Sequence, residues 1–266
     1  MKNLLISEFY RLRKNKGVIV TAIIALALAI LLPLLILIGV KELEKLIGIT
    51  ALGIYGIDQY YSLLGSGEII SILLIINIAS FSCNDFAFGT VRNKIISGHT
   101  RTQVYLSKLI VNLVSSLVIY LGYSIICSGL IGIFFGVNYE NIITATDFGN
   151  IIYSTIAFIF IHISSYCLLT NISMKSQTTK KSVIWYIVFV YAYAFALEIL
   201  IIFFDEIGFT AILDLLTDIN PLNQLSYITY GELHTDLFIL TVVSNIIYSV
   251  IITLHGIKSF NKKELK

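Results

Sequence analysis

The sequence predicts an all-α integral membrane protein with six transmembrane helices, and three observations carry that prediction. The first is composition. Of 266 residues, 57% are apolar and only 13% charged, against roughly 45–50% and 25% in an average soluble domain. A soluble chain of 29.7 kDa needs a polar surface, and too few polar side chains are present to cover one. The second observation is the length of the apolar runs, and the third is how the charges between them are sorted. The hydrophobicity also excludes a disordered chain and makes a multi-domain soluble enzyme untenable. Cys83, Cys127 and Cys167 are scattered over different spans with no Cys-x-x-Cys or His-x-x-x-His pair. Neither a disulfide scaffold nor a metal site is expected.

A spanning helix needs about 20 mostly apolar residues. Val18–Val40 holds no charge over 23 positions, Leu109–Tyr139 none over 31, Phe148–Met174 none over 27 and Leu237–Ile257 none over 21. Ile69–Asn84 is uncharged over 16, which puts the start of its helix near Ser62 with Glu68 at the interface. Ser182–Phe204 is interrupted once, by Glu198. The spans are therefore expected near residues 18–40, 62–84, 104–130, 148–174, 182–204 and 237–257, forming a single transmembrane domain over residues 1–266. None shows the period-two alternation of a barrel strand.

The charges orient these spans. Of the 18 basic residues, 16 fall in four segments on one side: Lys2 to Lys16, Arg92 to Lys108, Lys175 to Lys181, and Lys258 to Lys266. Of the 16 acids, 12 fall on the other side, from Glu42 to Asp236. The positive-inside bias puts both termini in the cytoplasm, and an even number of spans puts them on one side. A signal peptide does not fit, because a long arm precedes the first apolar run and no small-residue cleavage site follows it. In that arm, residues 1–16, Leu5, Phe9 and Leu12 recur at helical spacing while Lys2, Glu8, Arg11 and Arg13 face elsewhere. The pattern predicts a helix lying in the cytoplasmic interface; the bland alternative is a basic flank that merely orients the first span.

The loops differ in content. Lys41–Leu64 is Tyr-rich, and Tyr55, Tyr60 and Tyr61 suit the headgroup level. Ser173–Lys181 is long enough only for a turn. In Asp205–Asp236, Ile207, Ala211, Ile212, Leu215 and Leu216 share one helical face, and Asn220-Pro221 stops that helix. It reads equally as a re-entrant or capping helix and as simple lid packing. The segment Asn84–Lys108 stands out most. Phe88, Val91, Ile95 and Ile96 form an apolar stripe opposite Arg92, Asn93 and Lys94, Ser97-Gly98 is a helix stop, and Thr100 is an N-cap for the third span. A short amphipathic helix is expected to lie crosswise there, tied at both ends to spans; a solvated basic connector is the bland reading.

The run D-x-x-x-G-T-x-R-N-K-I-I-S-G-x-T-R-x-x-x-x-x-S-K, from Asp85 to Lys108, resembles the coupling-helix region of ABC-2 type exporter permeases. The interfacial arm, the six spans and the last outer loop with Asn220-Pro221-Leu222 are similar to that family as well. The narrower resemblance is to Gram-positive permeases for peptide-toxin export or bacteriocin immunity. It implies a bacterial plasma-membrane protein working as two permease copies with two separate ATPase subunits. ATP and Mg would be bound by the partner subunit, with no cofactor in this chain and no nucleic acid involved. The residues it implies for ATPase coupling are Asp85, Phe86, Phe88, Gly89, Val91, Arg92, Asn93, Lys94 and Ile95.

The chain's own chemistry is sparse. It has no G-x-x-x-x-G-K-[ST] loop to cradle ATP phosphates. Gly65-Ser66-Gly67 lacks the full pattern of a serine hydrolase turn. His162 and His255 read as packing residues, and Asn112 as a cross-helix hydrogen-bonding amide. Small-residue pairs at four-residue spacing (Ala25 and Ala29, Gly132 and Gly136, Ala192 and Ala196) permit close helix approach without locating a dimer contact. Glu198 and Asn77 are the candidates for a substrate path, Glu198 because an acid in hydrocarbon normally faces protein or water; its alternative is a helix-end acid reaching the outer interface. The expected function is permease for a hydrophobic or amphipathic cargo such as a peptide. The alternative is a non-transporting membrane sensor, interaction or peptide-immunity protein.

Overall fold

The computed structural model describes residues 1–47, 54–66, 68–138, 144–207, 210–231 and 233–263. The described residues form eleven helices and no strand: α1 (Lys2–Lys14), α2 (Lys16–Ile47), α3 (Gly56–Ser66), α4 (Glu68–Ala87), α5 (Thr90–Ile96), α6 (Arg101–Phe135), α7 (Ala145–Ser176), α8 (Thr179–Ile207), α9 (Thr210–Asp218), α10 (Pro221–Thr229) and α11 (Thr235–Asn261). Six of them, α2, α4, α6, α7, α8 and α11, are long and apolar enough to cross a membrane. That fits a multi-pass membrane protein.

Helices α6 and α7 form the centre. Helix α2 lies along α6, α11 along α7, α4 packs against both, and α8 sits at the edge against α7, α4 and α9. Ala25 and Ala29 are 3% and 0% exposed, so this small-residue pair is used inside the chain. Ala192 and Ala196 lie exposed on α8. The apolar faces of α2, α8 and α11 point outward, with Ile23, Trp185, Phe195 and Leu254 all more than half exposed. Polar side chains turn inward instead, as a lipid solvent requires. Asn112 Nδ2 donates to Ser82 Oγ at 2.8 Å and Thr170 Oγ1 at 3.3 Å, joining α6 to α4 and α7. His162 packs its ring among Tyr120, Phe158 and Tyr166 at centroid distances of 4.9, 4.5 and 4.3 Å. His255 is exposed.

Two expectations about the outer loops are corrected. The second span does not begin near Ser62, because residues 56–66 form the separate helix α3 and the spanning helix α4 starts at Glu68. Nor do Tyr60 and Tyr61 sit at a surface, being 8% and 9% exposed, and Tyr60 bonds to Thr155 Oγ1 at 2.9 Å. Helix α3 is sunk between α6, α7 and α10. Its first backbone N–H groups, on Gly56 and Ile57, donate to the carbonyls of Gly136 and Val137, and Tyr120 donates its hydroxyl to the Leu63 carbonyl at 2.7 Å. Periodicity could not separate this buried amphipathic helix from the span that follows it.

The last loop also differs. Asn220-Pro221 ends α9 but begins α10, with the Asn220 side chain accepting from the Leu222 N–H and proline at the first helical position. On α9 Ile212 and Leu215 are exposed and Leu216 half-buried, whereas the side chains of Ile207 and Ala211 lie outside the described residues. So do those of Glu44, Glu68, Glu140, Asp205, Glu206 and Glu232. A buried amide chain fixes this loop to the bundle. Asn245 donates to Gln224 Oε1 at 2.7 Å, Gln224 donates to the Asp218 carbonyl at 2.9 Å, and Ser164 donates to Asn245 Oδ1 at 2.6 Å.

A β-carbon on Gly56 would lie 2.8 Å from Gly132 Cα and 2.9 Å from the Ser128 carbonyl oxygen, both backbone. Gly56→Ala is therefore expected to destabilise the protein by about 1–3 kcal/mol. Gly122→Ala, which meets open space inside a helix, is expected to be neutral or stabilising. Thermal unfolding of the two purified variants in detergent checks the contrast.

Candidate functional site

Helix α5 is held by turns that its sequence encodes. Gly89 at its start has φ +64° and Gly98 beyond its end has φ +92°, backbone states that glycine reaches without strain. At the C-terminal end the Gly98 N–H donates to the Ile95 carbonyl and the His99 N–H to the Lys94 carbonyl, the Schellman arrangement. Thr100 and Gln103 then form a capping box that starts α6. The helix stop at Ser97-Gly98 and the cap at Thr100 stand where the sequence placed them.

The faces of α5 do not follow the expected stripe. Val91 is 2% exposed and packs with Leu4, Val104, Tyr105 and Phe260, and Ile95 lies against the same cluster. Phe88 and Ile96, however, are 75% and 73% exposed, beside exposed Gly89, Arg92 and Asn93. Lys94, expected on the polar side, points into the protein. The reason is the spacing: on α5 residues 91, 94 and 95 share one face and 92 and 96 the other, while Phe88 precedes the helix in the turn made by Gly89. Phe86 is half-buried and meets Phe260 edge-on at 6.3 Å.

Lys94 enters a cluster of five charges drawn from four helices. Glu8 and Arg11 come from α1, Asp85 from α4, Lys94 from α5 and Lys108 from α6. Lys108 Nζ lies 2.9 Å from Glu8 Oε2 and 2.9 Å from Asp85 Oδ2. Lys94 Nζ pairs with Asp85 Oδ2 at 2.6 Å and also with Glu8. Arg11 pairs with Glu8 at 3.2 Å and with Asp85. Glu8, Asp85 and Lys108 are 0% exposed. Phe81 closes the cluster from one side, with Lys108 Nζ 3.7 Å from its ring centroid, a cation–π contact in a desolvated place. Burial alone would raise the Glu8 pKa, but the ammonium groups of Lys108 and Lys94 outweigh it and hold the carboxyl below its ordinary value. Burial opposes the charge on Arg11 too, and hydrogen bonds to Asp85 and Glu8 reverse that.

This arrangement corrects one expectation. Glu8 does not face away from the protein; α1 buries its acid and Leu4 and leaves Phe9 37% exposed. Asp85, one of the residues implied for coupling, lies buried at the centre of the ion cluster. Of the nine residues implied for coupling, Phe88, Gly89, Arg92 and Asn93 face outward, Phe86 and Ile95 are half-buried, and Asp85, Val91 and Lys94 face inward. The sequence carried one signal: Glu8 and Asp85 are two of only three acids on the basic side of the chain. Nearby, Arg101 donates to the carbonyls of Asn261 at 2.9 Å and Lys263, and Lys263 donates to the Met174 carbonyl at 3.2 Å. These cations cap the C-terminal ends of α11 and α7. Glu198 is exposed on α8 and Asn77 is half-buried on α4; among the described residues no hydrogen bond or ion pair joins them. No group of three metal-ligating side chains occurs among the described residues.

The cluster holds three bases against two acids, so its members are not equivalent. Asp85→Asn strands cations in the interior and is expected to cost about 3–5 kcal/mol; Lys94→Met leaves two of each sign and is expected to cost clearly less. Because the folded pKa of Glu8 lies below its ordinary value near 4.5, its contribution is fully present above that value. It drains as pH falls through the folded pKa. Melting curves of both variants and of the unaltered protein, from pH 7 down to pH 4, check the order and the direction. The sequence matches no protein-family model and no curated protein, so the reading of this site rests on its own geometry.

Proposed function

We propose that this chain is the membrane-spanning permease subunit of an ATP-driven exporter, with α5 as the element on which a separate ATPase subunit docks. The observation that carries the reading is the outward side of α5 and the turn that precedes it. Phe88, in that turn, and Ile96, at the end of the helix, are about three-quarters exposed and lie outside the stretches of α4 and α6 apolar enough to cross a membrane. Two large apolar side chains on either side of Arg92, held by a helix and its glycine turn, suit an anchor for a protein pocket. The inward face of the same helix is fastened by Lys94 to Glu8 of α1 and Asp85 of α4, and through those two acids to Lys108 of α6. A movement imposed on Phe88 and Ile96 therefore reaches the spans.

In this reading the basic end of the bundle is cytoplasmic, following the positive-inside rule, and the membrane is the bacterial plasma membrane. Two copies of the chain act with two ATPase subunits, which hold ATP and Mg. Helix α8 is the face suited to the second copy. Ile184, Val188, Tyr191, Phe195, Glu198 and Ile202 are all exposed on it at alternating spacings of four and three residues, the pattern of a helix–helix seam. One of them is an acid that lipid accommodates poorly. The apolar character of the bundle favours a hydrophobic or amphipathic cargo, peptides among them.

Purification from the native membrane in mild detergent tests the docking. A separate ATPase is expected to co-purify with the unaltered chain and to be lost, with melting temperature unchanged, in the double variant Phe88→Ser, Ile96→Ser. Lys94→Met is expected to keep the partner but lose at least tenfold in peptide-stimulated ATP hydrolysis. Absence of any co-purifying ATPase would overturn the reading in favour of a non-transporting membrane protein.

A further inference from the structure

Helix α1 is pinned by its polar face. Glu8 and Arg11 are committed to the ion cluster, which fixes the rotation of α1 and leaves Phe9 and Leu12, further round the helix, lining a groove against α2. The angle between the two helices is fixed as well, because Asn15 Oδ1 accepts from the N–H groups of Gly17 at 2.8 Å and Val18 at 3.3 Å and so caps the first turn of α2. Between them lies an open groove of about 590 Å³, walled by Phe9 and Leu12 from α1 and by Ile19, Ile23 and Leu26 from α2, with Arg13 at its edge. The α2 side of this wall is well exposed, Ile19 at 45% and Ile23 at 60%.

The charge around the groove has one sign. In residues 1–17 the only acid is Glu8, and it is spent inside the cluster. Arg13, Lys14 and Lys16 are exposed, and no ion pair is formed by any of the three among the described residues. We propose that this groove is a binding site for an anionic phospholipid of the adjacent leaflet, with an acyl chain along Phe9, Ile19 and Ile23 and the phosphate on Arg13. The depth of the site selects the occupant. Residues 18–26 belong to a spanning helix, so the groove opens to hydrocarbon at one end and to the headgroup level at the other. A second copy of this chain would bring its own Arg13, Lys14 and Lys16 against the same three cations. A water-soluble peptide would have no aqueous route to the apolar wall. The proposal does not depend on a transport role.

The full chain contains one tryptophan, Trp185, which allows a local probe. In a Trp185→Phe background, Phe9→Trp places the fluorophore on the groove wall, and the protein is reconstituted in vesicles containing brominated phosphatidylglycerol or brominated phosphatidylcholine. The expected result is quenching by the anionic lipid at a several-fold lower mole fraction than by the zwitterionic one, with the difference abolished by Arg13→Gln. Arg13 takes no part in the ion cluster, so this variant keeps the fold. Native mass spectrometry of the otherwise unaltered chain provides the second measurement, with phosphatidylglycerol retained on it and lost from Arg13→Gln. Equal quenching by the two lipids, a preference that survives Arg13→Gln, or no quenching by either because protein fills the groove would each overturn the proposal.

Discussion

The structure depends on an ion cluster that would be unstable in parts. Glu8, Asp85 and Lys108 are withdrawn entirely from solvent, and isolating any one of them in a low-dielectric interior is expensive. Together with Lys94 and Arg11 they satisfy one another, and the pairs that tie α1 to the rest bridge sequence separations of 74 to 100 residues. The cluster is thus the point where α1, α4, α5 and α6 must agree on a single arrangement. Dispersion contacts between apolar helices are numerous but weakly directional. Paired charges fix register, and here they fix it for two short helices, α1 and α5, that have little core of their own.

The same constraint explains why the two faces of α5 behave so differently. Its inner face is occupied by Val91 in a packed apolar cluster and by Lys94 in the ionic one. Among the described residues, nothing covers Phe88, Arg92 or Ile96. The helix is bounded by two turns of left-handed backbone, at Gly89 and Gly98, and it is continuous with the capping box that begins α6. Its exposed residues are therefore presented by a rigid element, not by a floppy connector.

Much of this was legible in the sequence, and the failures have a common physical origin. The spans followed from uninterrupted apolar length, and the end of α5 and the start of α6 from Ser97-Gly98 and Thr100 at the right offsets. The inward turn of Glu8 did not follow from the pattern of α1 alone, because what draws it in is a pair of lysines, Lys94 and Lys108, that only the folded chain brings beside it. Helix α3 was merged with the next span because a buried amphipathic helix and a spanning helix share their apolar residues. The splitting of Phe88 from Val91 needed three dimensions, since the left-handed turn at Gly89 leaves Phe88 outside the seven-residue helix and turns it away from the face that Val91 buries.

The length of α6 gives these features a mechanical meaning. It runs unbroken from Arg101 to Phe135, with Lys108 in the ion cluster near one end and Gly132 against α3 near the other. Those two residues are 24 positions apart, about 36 Å along the axis. A tilt of 5° about the ionic end would carry Gly132 through roughly 3 Å, far more than a contact too close for even an added β-carbon on Gly56 can absorb. Helix α6 is a lever whose short arm is electrostatic and whose long arm ends at a contact with no slack.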